Sequence, residues 1–317
     1  MHNRNVIITG ANSGIGKAAA IQFATKGYTI IMACRNLEIS KAVQTEIIKT
    51  ANNRNIHLMK ADMSSFHSIE NFCKQFKSKF EKADIIIHNA AYFNHGEKYQ
   101  LSSDQIELTF ATNVFGPFLM TALLMDHLKK SDDARILFAG SSIIKHFFDE
   151  KTKIHFDNLR GEFKENRSHR VYKMYCQSKM ALLLLTFKLA GEYQEDGIKV
   201  NMLQINGAKM SKQTIKKVKP WWRPIALVQN LFFPPAAYMA NNYYEICSSD
   251  AFRNTTGKLI NDKLEIMQPA PSEKLSLYKQ LKQIIGSSIY PLYAENIEVR
   301  EQLWKLCKKL TDTRTLI

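Results

Sequence analysis

The stretch that decides the fold is a glycine-rich turn, Thr9-Gly10-Ala11-Asn12-Ser13-Gly14-Ile15-Gly16, which follows the apolar run Val6-Ile7-Ile8. Gly10 can take a tight turn, Gly14 lets the backbone approach a pyrophosphate, and Gly16 permits close packing of a helix on a strand. The first N–H groups of such a helix are unpaired and attract anions. We therefore predict a nucleotide phosphate site formed by Gly10, Asn12, Ser13, Gly14, Ile15 and Gly16.

Short β-branched runs alternate with longer amphipathic segments through the first part of the chain, which is typical of repeated βαβ units. Strands are predicted at Val6–Thr9, Tyr28–Ala33, Ile56–Lys60, Asp84–His88, Arg135–Ala139, Lys199–Ile205 and Lys258–Ile260. Helices are predicted at Ile15–Thr25, Ile106–Lys129 and Tyr172–Ala190. No repeat or Pro/Gly-rich linker marks a boundary. We expect one α/β domain over residues 1–317, a doubly wound Rossmann-type fold with a mainly parallel sheet of about seven strands.

The composition narrows the class of protein. The formal net charge of +15 should attract anions such as phosphorylated cofactors or acidic lipid headgroups, but no RNA-binding, zinc-finger or basic-zipper signature is present, so we expect no nucleic-acid partner. The five cysteines form no Cys-x-x-Cys pair, which argues against a disulfide framework or a zinc site and predicts no metal and a reducing, cytoplasmic location. No apolar stretch reaches the roughly 20 residues that span a bilayer, so any contact with an intracellular membrane should be peripheral.

The end of the second predicted strand indicates which dinucleotide the turn would bind. NAD-selective enzymes place a carboxylate there to hold the ribose 2′-hydroxyl. This chain has Ala33-Cys34-Arg35-Asn36 instead. An acid would repel a 2′-phosphate, whereas the guanidinium of Arg35 can hold one through paired N–H groups. We therefore expect NADP(H) as the cofactor, with Arg35 and Asn36 among the residues that bind it.

A tyrosine and a lysine lie four residues apart in Tyr175-Cys176-Gln177-Ser178-Lys179, on one face of the long predicted helix. Upstream lie Thr112-Asn113-Val114-Phe115-Gly116 and, after the fifth strand, Ala139-Gly140-Ser141-Ser142. With the glycine spacing, this order resembles the short-chain dehydrogenase/reductase family. Within that family the chain most resembles the retinol-dehydrogenase-like and WW-domain-oxidoreductase-like branch. The motifs that carry this resemblance are Phe156-Asp157-Asn158-Leu159, Gly257-Lys258-Leu259-Ile260 and Leu303-Trp304-Lys305-Leu306.

The resemblance implies roles for individual residues. Tyr175 would exchange a proton with the substrate oxygen, and Lys179 would stabilise its phenolate and hold the nicotinamide ribose. Ser142, aligned in preference to Ser141, would hydrogen-bond the substrate oxygen, and Asn113 would position a water. Contacts to NADP(H) are further implied for Asp62, Met63, Asn89, Ala90, Tyr175, Lys179 and Ser211. The chain departs from the family pattern at Ala91 and Asn206, where glycine and proline are usual, and Ser211 replaces a threonine.

Two functions remain open at this stage. One is an enzyme that interconverts a lipophilic carbonyl compound and its alcohol, such as a retinoid, steroid or lipid aldehyde, with an aromatic insertion around residues 209–241 as substrate lid. The other is a catalytically weakened NADP(H)-binding regulatory protein. The stretch Lys212–Phe233 also places Ile215, Val218 and Trp222 at helical spacing opposite lysines, which predicts contact with an anionic membrane surface. The oligomeric state is open, and a homo-oligomer is one alternative.

Overall fold

The computed structural model describes residues 4–93, 99–159, 171–209, 215, 223–271 and 288–312. Seven strands form one sheet in the order β3-β2-β1-β4-β5-β6-β7, and every neighbouring pair is parallel. The strands are β1 Asn5–Thr9, β2 Thr29–Cys34, β3 Ile56–Lys60, β4 Ile85–His88, β5 Arg135–Ala139, β6 Lys199–Leu203 and β7 Lys258–Ile260. A further parallel pair joins β8 Gln268–Pro269 to β9 Ile289–Tyr290. The predicted doubly wound sheet of seven strands is confirmed.

The sheet is buried on both faces, which explains why its strands are apolar runs rather than alternating ones. All four residues of β4 and all five of β5 are buried. Helices cover both faces: α1, α2 and α9 on one side, and α3, α5, α7 and α10 on the other. The helices are α1 Gly14–Thr25, α2 Leu37–Ala51, α3 Phe66–Lys79, α4 Leu108–Phe110, α5 Gly116–Leu123, α6 Met125–Leu128, α7 Val171–Glu192, α8 Arg223–Phe232, α9 Ala236–Ser248 and α10 Ile297–Leu310.

The strand order reverses between β1 and β4, and this reversal positions the site. The connection after β1 leads to β2 on one side, whereas β4 lies on the other side of β1. In open parallel sheets a crevice forms at such a switch point, outside the carboxyl ends of the strands. The glycine-rich turn and the residues after β4 and β5 all lie at this edge.

The predicted helical stretch Ile106–Lys129 is helical over most of its length, from Leu108 to Leu128, but it is not one regular α-helix. The structure has α4, a π-helical turn at Ala111–Phe115, then α5 and α6. Pro117 cannot donate a hydrogen bond to the carbonyl of Asn113 four residues earlier, so the regular helical ladder is interrupted there. At Gly116 a side chain would collide with the carbonyl oxygen of Met63, so this turn packs against the segment after β3.

The two ends of the chain segment between β6 and α9 are held together. The backbone N–H of Lys209 donates to the carbonyl of Pro234 at 2.9 Å, and a side chain at Gly207 would lie 2.5 Å from the ring of Phe233. Ser211 and the rest of residues 210–214 and 216–222, which belong to the predicted lid and membrane-contact stretch, lie outside the described residues, so those expectations stay predictions. In the described part of the chain no helix is both long enough and apolar enough to cross a membrane.

Candidate active site

The glycine-rich turn has the conformation that a phosphate site needs. Gly10 has φ of +68° and Gly14 has φ of +52°, and a side chain at Gly14 would meet no atom within 4 Å. Ser13 is the N-cap of α1, its side chain makes no capping hydrogen bond within the described structure, and the first turn of α1 carries no acidic side chain. The N–H groups of that turn are therefore available to an anion, and the helix dipole favours it.

Asn89, directly after β4, contacts the start of the glycine-rich turn through its side-chain amide. Its Nδ2 donates to the carbonyl oxygen of Thr9 at 3.0 Å and lies 3.5 Å from that of Gly10. At Gly16 a Cβ atom would lie 2.5 Å from both the Asn89 amide nitrogen and the Gly10 oxygen, so only glycine fits there. Ala90 donates its N–H to the Thr9 hydroxyl at 2.9 Å. The structure thus brings Asn89 and Ala90 together with the turn, as the sequence predicts.

Arg35 and Asn36 lie at the adjacent corner. The N–H of Gly10 donates to the carbonyl of Ala33 at 2.9 Å, which holds the end of β2 beside the turn. Arg35 is exposed two residues further on, and within the described residues it forms no ion pair. The side chain of Asn36 instead caps α2, because its Oδ1 accepts from the N–H of Ile39 at 3.1 Å. Arg35 is therefore the group at this corner that can face a 2′-phosphate.

Asp62 and Met63 follow β3 at the same edge. The carboxylate of Asp62 accepts from the backbone N–H of Ser64 at 3.0 Å and from its hydroxyl at 2.7 Å. Met63 is buried, and its carbonyl packs against Gly116. The second carboxylate oxygen of Asp62 takes no part in these two bonds.

Tyr175 lies on α7 and faces the end of β5. Its hydroxyl faces the side chain of Ser141, and its ring meets the ring of Phe93 edge to face with 5.0 Å between centroids. Burial raises the pKa of Tyr175 to about 12, and the Ser141 side chain opposes that rise. The phenol is therefore protonated at neutral pH, in the form that can donate a proton.

The alignment that gives Ser142, in preference to Ser141, the bond to the substrate oxygen needs a shift of one residue. Ser141 has extended backbone, with φ of −156° and ψ of 144°, and neighbouring side chains in an extended segment point to opposite sides. Only one of the two serines can face Tyr175, and that one is Ser141. Ser142 begins a 3₁₀ turn, Ser142–Phe148, and its N–H donates to the carbonyl of Ile205 at 3.2 Å. The sequence predicts a serine directly after β5, but it does not show which of the two adjacent serines faces Tyr175.

Lys179 lies one helical turn beyond Tyr175 and is almost completely buried. Its Nζ donates to the carbonyl oxygen of Ala139 at 2.8 Å and lies 5.6 Å from the centroid of the Tyr175 ring. Burial lowers the pKa of Lys179 to about 8. The ammonium group is thus held between β5 and Tyr175, at a pKa close to neutral pH.

Asn113 lies in the π-helical turn and joins three parts of the site. Its Oδ1 accepts from the N–H of Tyr92 at 2.7 Å, and its Nδ2 donates to the carbonyl of Tyr92 at 3.0 Å and to the hydroxyl of Ser178 at 3.1 Å. The side chain is therefore fixed between the segment after β4 and the helix that carries Tyr175 and Lys179. The predicted role in holding a water is not tested by these contacts.

Comparison with known proteins agrees with this geometry. The family model for short chain dehydrogenases matches residues 4–149. Retinol dehydrogenase 13 of Homo sapiens is 31% identical over 281 residues, and the match covers 84% of this chain and 78% of that protein. The chain belongs to the short-chain dehydrogenase/reductase family.

Within this family the chain lies in the retinol-dehydrogenase-like branch, as the sequence resemblance predicts. WW domain-containing oxidoreductase of Gallus gallus is 32% identical over 221 residues, covering 68% of this chain and 51% of that protein. A short chain dehydrogenase of Shigella flexneri 2a str. 301, solved in complex with NADP, shares the fold with a TM-score of 0.63 at 22% identity. That likeness covers 83% of this chain and 98% of the other.

Proposed function

We propose that this short-chain dehydrogenase/reductase is an NADP(H)-dependent enzyme that interconverts a lipophilic carbonyl compound and its alcohol. The observation that carries the proposal is the placement of Tyr175, which faces Ser141 and lies one turn from the buried Lys179, at the same sheet edge as the glycine-rich turn. The names of the relatives support the substrate class, and the NADP held by the Shigella flexneri enzyme supports the cofactor.

The residues of the chain account for the proton half of the reaction. NADPH, when bound, supplies a hydride to the carbonyl carbon. Tyr175 donates its phenolic proton to the carbonyl oxygen, so the product is the alcohol and a tyrosine phenolate remains. Ser141 hydrogen-bonds the same oxygen as negative charge develops on it. Lys179 stabilises the phenolate by its positive charge, and a proton from solvent restores the phenol. In the oxidation direction the same groups run these steps in reverse.

Arg35 is the proposed selector of NADP(H). Charge-assisted hydrogen bonds are worth about 1.5–3 kcal/mol, roughly ten- to a hundredfold in affinity. We expect wild type to bind NADPH more tightly than NADH by this factor. Arg35→Ala should lose the preference because its affinity for NADPH falls while its affinity for NADH does not change. Arg54→Ala removes another exposed arginine, just beyond α2, and serves as control. Equal affinity of wild type for both dinucleotides, measured by titration, would contradict the assignment.

A lipophilic substrate suits the surroundings of Tyr175. The apolar ring of Phe93 contacts the ring of Tyr175 edge to face. The helix α8, in the proposed lid, exposes three apolar side chains: Leu227 at 53%, Val228 at 56% and Leu231 at 76%. An apolar face of this kind on a charged protein marks a contact surface. We propose that the segment around residues 209–241 closes over the substrate and also touches anionic membrane surfaces, to which the net charge of +15 draws the protein.

The competing function is an NADP(H)-binding regulatory protein with weakened catalysis. It is motivated by Ala91 and Asn206, the two departures from the family pattern. Ala91 is exposed, so its methyl group does not crowd the protein interior, and Asn206 accepts a hydrogen bond from Gln204 at 3.2 Å. NADPH consumption measured against a broad panel of hydrophobic aldehydes and ketones separates the two functions. Binding of NADPH without turnover of any panel member would favour the regulatory protein.

A further inference from the structure

Tyr243 on α9 contacts the support of the glycine-rich turn from the far end of the sequence. Its side chain is fully buried, and its hydroxyl donates to Oδ1 of Asn89 at 3.2 Å. The residue lies beyond the stretch 4–149 that the family model matches. We propose that Tyr243 is a positioning residue of the dinucleotide site, which acts by fixing the orientation of the Asn89 side-chain amide. The inference rests on the proposed cofactor site.

The argument starts from the amide of Asn89, which has one acceptor end and one donor end. The acceptor end, Oδ1, receives the Tyr243 hydroxyl, and the donor end, Nδ2, bonds to the carbonyl of Thr9 at 3.0 Å. A flipped amide would place Oδ1 against that carbonyl, so two acceptors would face each other. It would also place NH₂ against the Tyr243 hydroxyl, which can still accept. The flip thus loses the bond that holds the turn, and the tyrosine donor biases the amide against it.

The consequence reaches the phosphate-binding backbone directly. Nδ2 of Asn89 lies beside the Gly10 carbonyl and occupies the space that a side chain at Gly16 would need. The conformation of the turn between Gly10 and Gly16 therefore depends on where this amide nitrogen is held. A site whose backbone N–H groups must converge on a phosphate loses affinity when that backbone is less well ordered.

Packing alone does not explain a tyrosine at this position. Tyr243 belongs to a buried apolar cluster that includes Met239, Ile246 and Cys247 on the same helix and residues of the sheet strands. Burying a hydroxyl costs free energy unless it is hydrogen-bonded, so phenylalanine would suit a purely apolar environment better. Burial also raises the pKa of Tyr243, so the hydroxyl stays protonated and remains a donor throughout the working pH range.

The test compares Tyr243→Phe with Tyr244→Phe, the neighbouring tyrosine on α9, whose ring packs against Phe23 with 5.2 Å between centroids. Loss of one neutral hydrogen bond corresponds to about a five- to tenfold change in affinity. We expect Tyr243→Phe to weaken NADPH and NADH binding by this factor equally, because the turn binds the pyrophosphate common to both. Tyr244→Phe should leave both affinities unchanged. Calorimetric titration of the full-length variants gives the dissociation constants.

Hydrogen–deuterium exchange without dinucleotide provides an independent measurement. Tyr243→Phe should raise amide exchange in residues 9–16 and leave the rest of α9 as protected as in wild type. Unchanged affinity with unchanged exchange of the turn would overturn the inference, and so would faster exchange spread over α9 and the sheet, which indicates a general loss of stability. If wild type binds neither NADPH nor NADH, the proposed function fails instead, whereas exchange of the turn still decides whether Tyr243 positions it.

Discussion

Replacing Lys179 by methionine should make the protein more stable and inactive at the same time. Lys179 is 2% exposed, and burial lowers its pKa from 10.5 to about 8. The folded protein therefore holds this proton less tightly than the unfolded chain does. By linkage, the charged lysine destabilises the folded state at neutral pH, and stability from this residue is gained as pH rises from about 8 to 10.5.

The magnitude follows from the two pKa values. A shift of that size corresponds to about 3 kcal/mol at pH 7 and about 1.4 kcal/mol at pH 9.5, where the folded protein has already lost the proton and most unfolded chains still hold it. Methionine removes this penalty, but it also removes the hydrogen bond from Nζ to the Ala139 carbonyl, which is worth about 1 kcal/mol. Lys179→Met should therefore be about 2 kcal/mol more stable than wild type at pH 7 and nearly equal to it at pH 9.5.

Urea denaturation of wild type and variant at both pH values measures this difference. Lys173→Met serves as control, because Lys173 is exposed on the same helix and its replacement should leave the pH dependence unchanged. Wild type and Lys179→Met share the same buried cysteines and tyrosines. The titration of these groups therefore cancels in the difference in unfolding free energy between the two proteins. A variant that is less stable than wild type at pH 7, or that keeps the wild-type pH dependence, would refute the argument that a buried ammonium is maintained here for function.

Two further predictions concern the serine pair and the exposed helix α8. Ser141→Ala should lower kcat/KM for carbonyl reduction about 100-fold because it removes a donor to the developing negative charge, whereas Ser142→Ala should change it less than about threefold. Steady-state kinetics of both variants measure this difference. A larger loss in Ser142→Ala than in Ser141→Ala would assign the bond to the substrate oxygen to Ser142. Wild type should sediment at low salt with vesicles that contain phosphatidylserine and should not sediment with neutral vesicles. Leu231→Asp should weaken binding to the acidic vesicles more than Leu292→Asp does. Absent or salt-insensitive binding would favour a lid that never contacts lipid.

The sheet could be predicted from the sequence because its strands are apolar runs with clear ends. The bounds of β3, β5 and β7 agree with the predicted strands residue for residue, and β6 ends two residues earlier than predicted. The helical stretch before β5 was harder to predict in detail, since the apolar spacing continues through residues 106–129 although Pro117 lacks the backbone N–H that a regular helix needs. The spacing of apolar residues indicates which side chains are buried, but it does not show where a backbone N–H donor is missing.

The candidate site could be predicted where residues follow a strand or share a helix face. Tyr175 and Lys179 meet because four residues separate them on one helix, and Asn89 meets the glycine-rich turn because β4 lies beside β1. The choice between Ser141 and Ser142 required the backbone dihedral angles, since adjacent serines differ only in the side of the chain they face. The contact between Asn89 and Tyr243 spans 154 positions, and no local pattern indicates it.

The measurement that tests the central claim most directly is turnover and NADPH affinity of Tyr175→Phe, side by side with wild type. The variant keeps the ring that packs against Phe93 and loses only the hydroxyl that faces Ser141. Positioned acid–base catalysis contributes about 10²–10⁴-fold, so carbonyl reduction should fall at least 100-fold while the dissociation constant for NADPH changes less than about twofold. Wild-type turnover by Tyr175→Phe on a good substrate would contradict the assignment of Tyr175 as the proton donor.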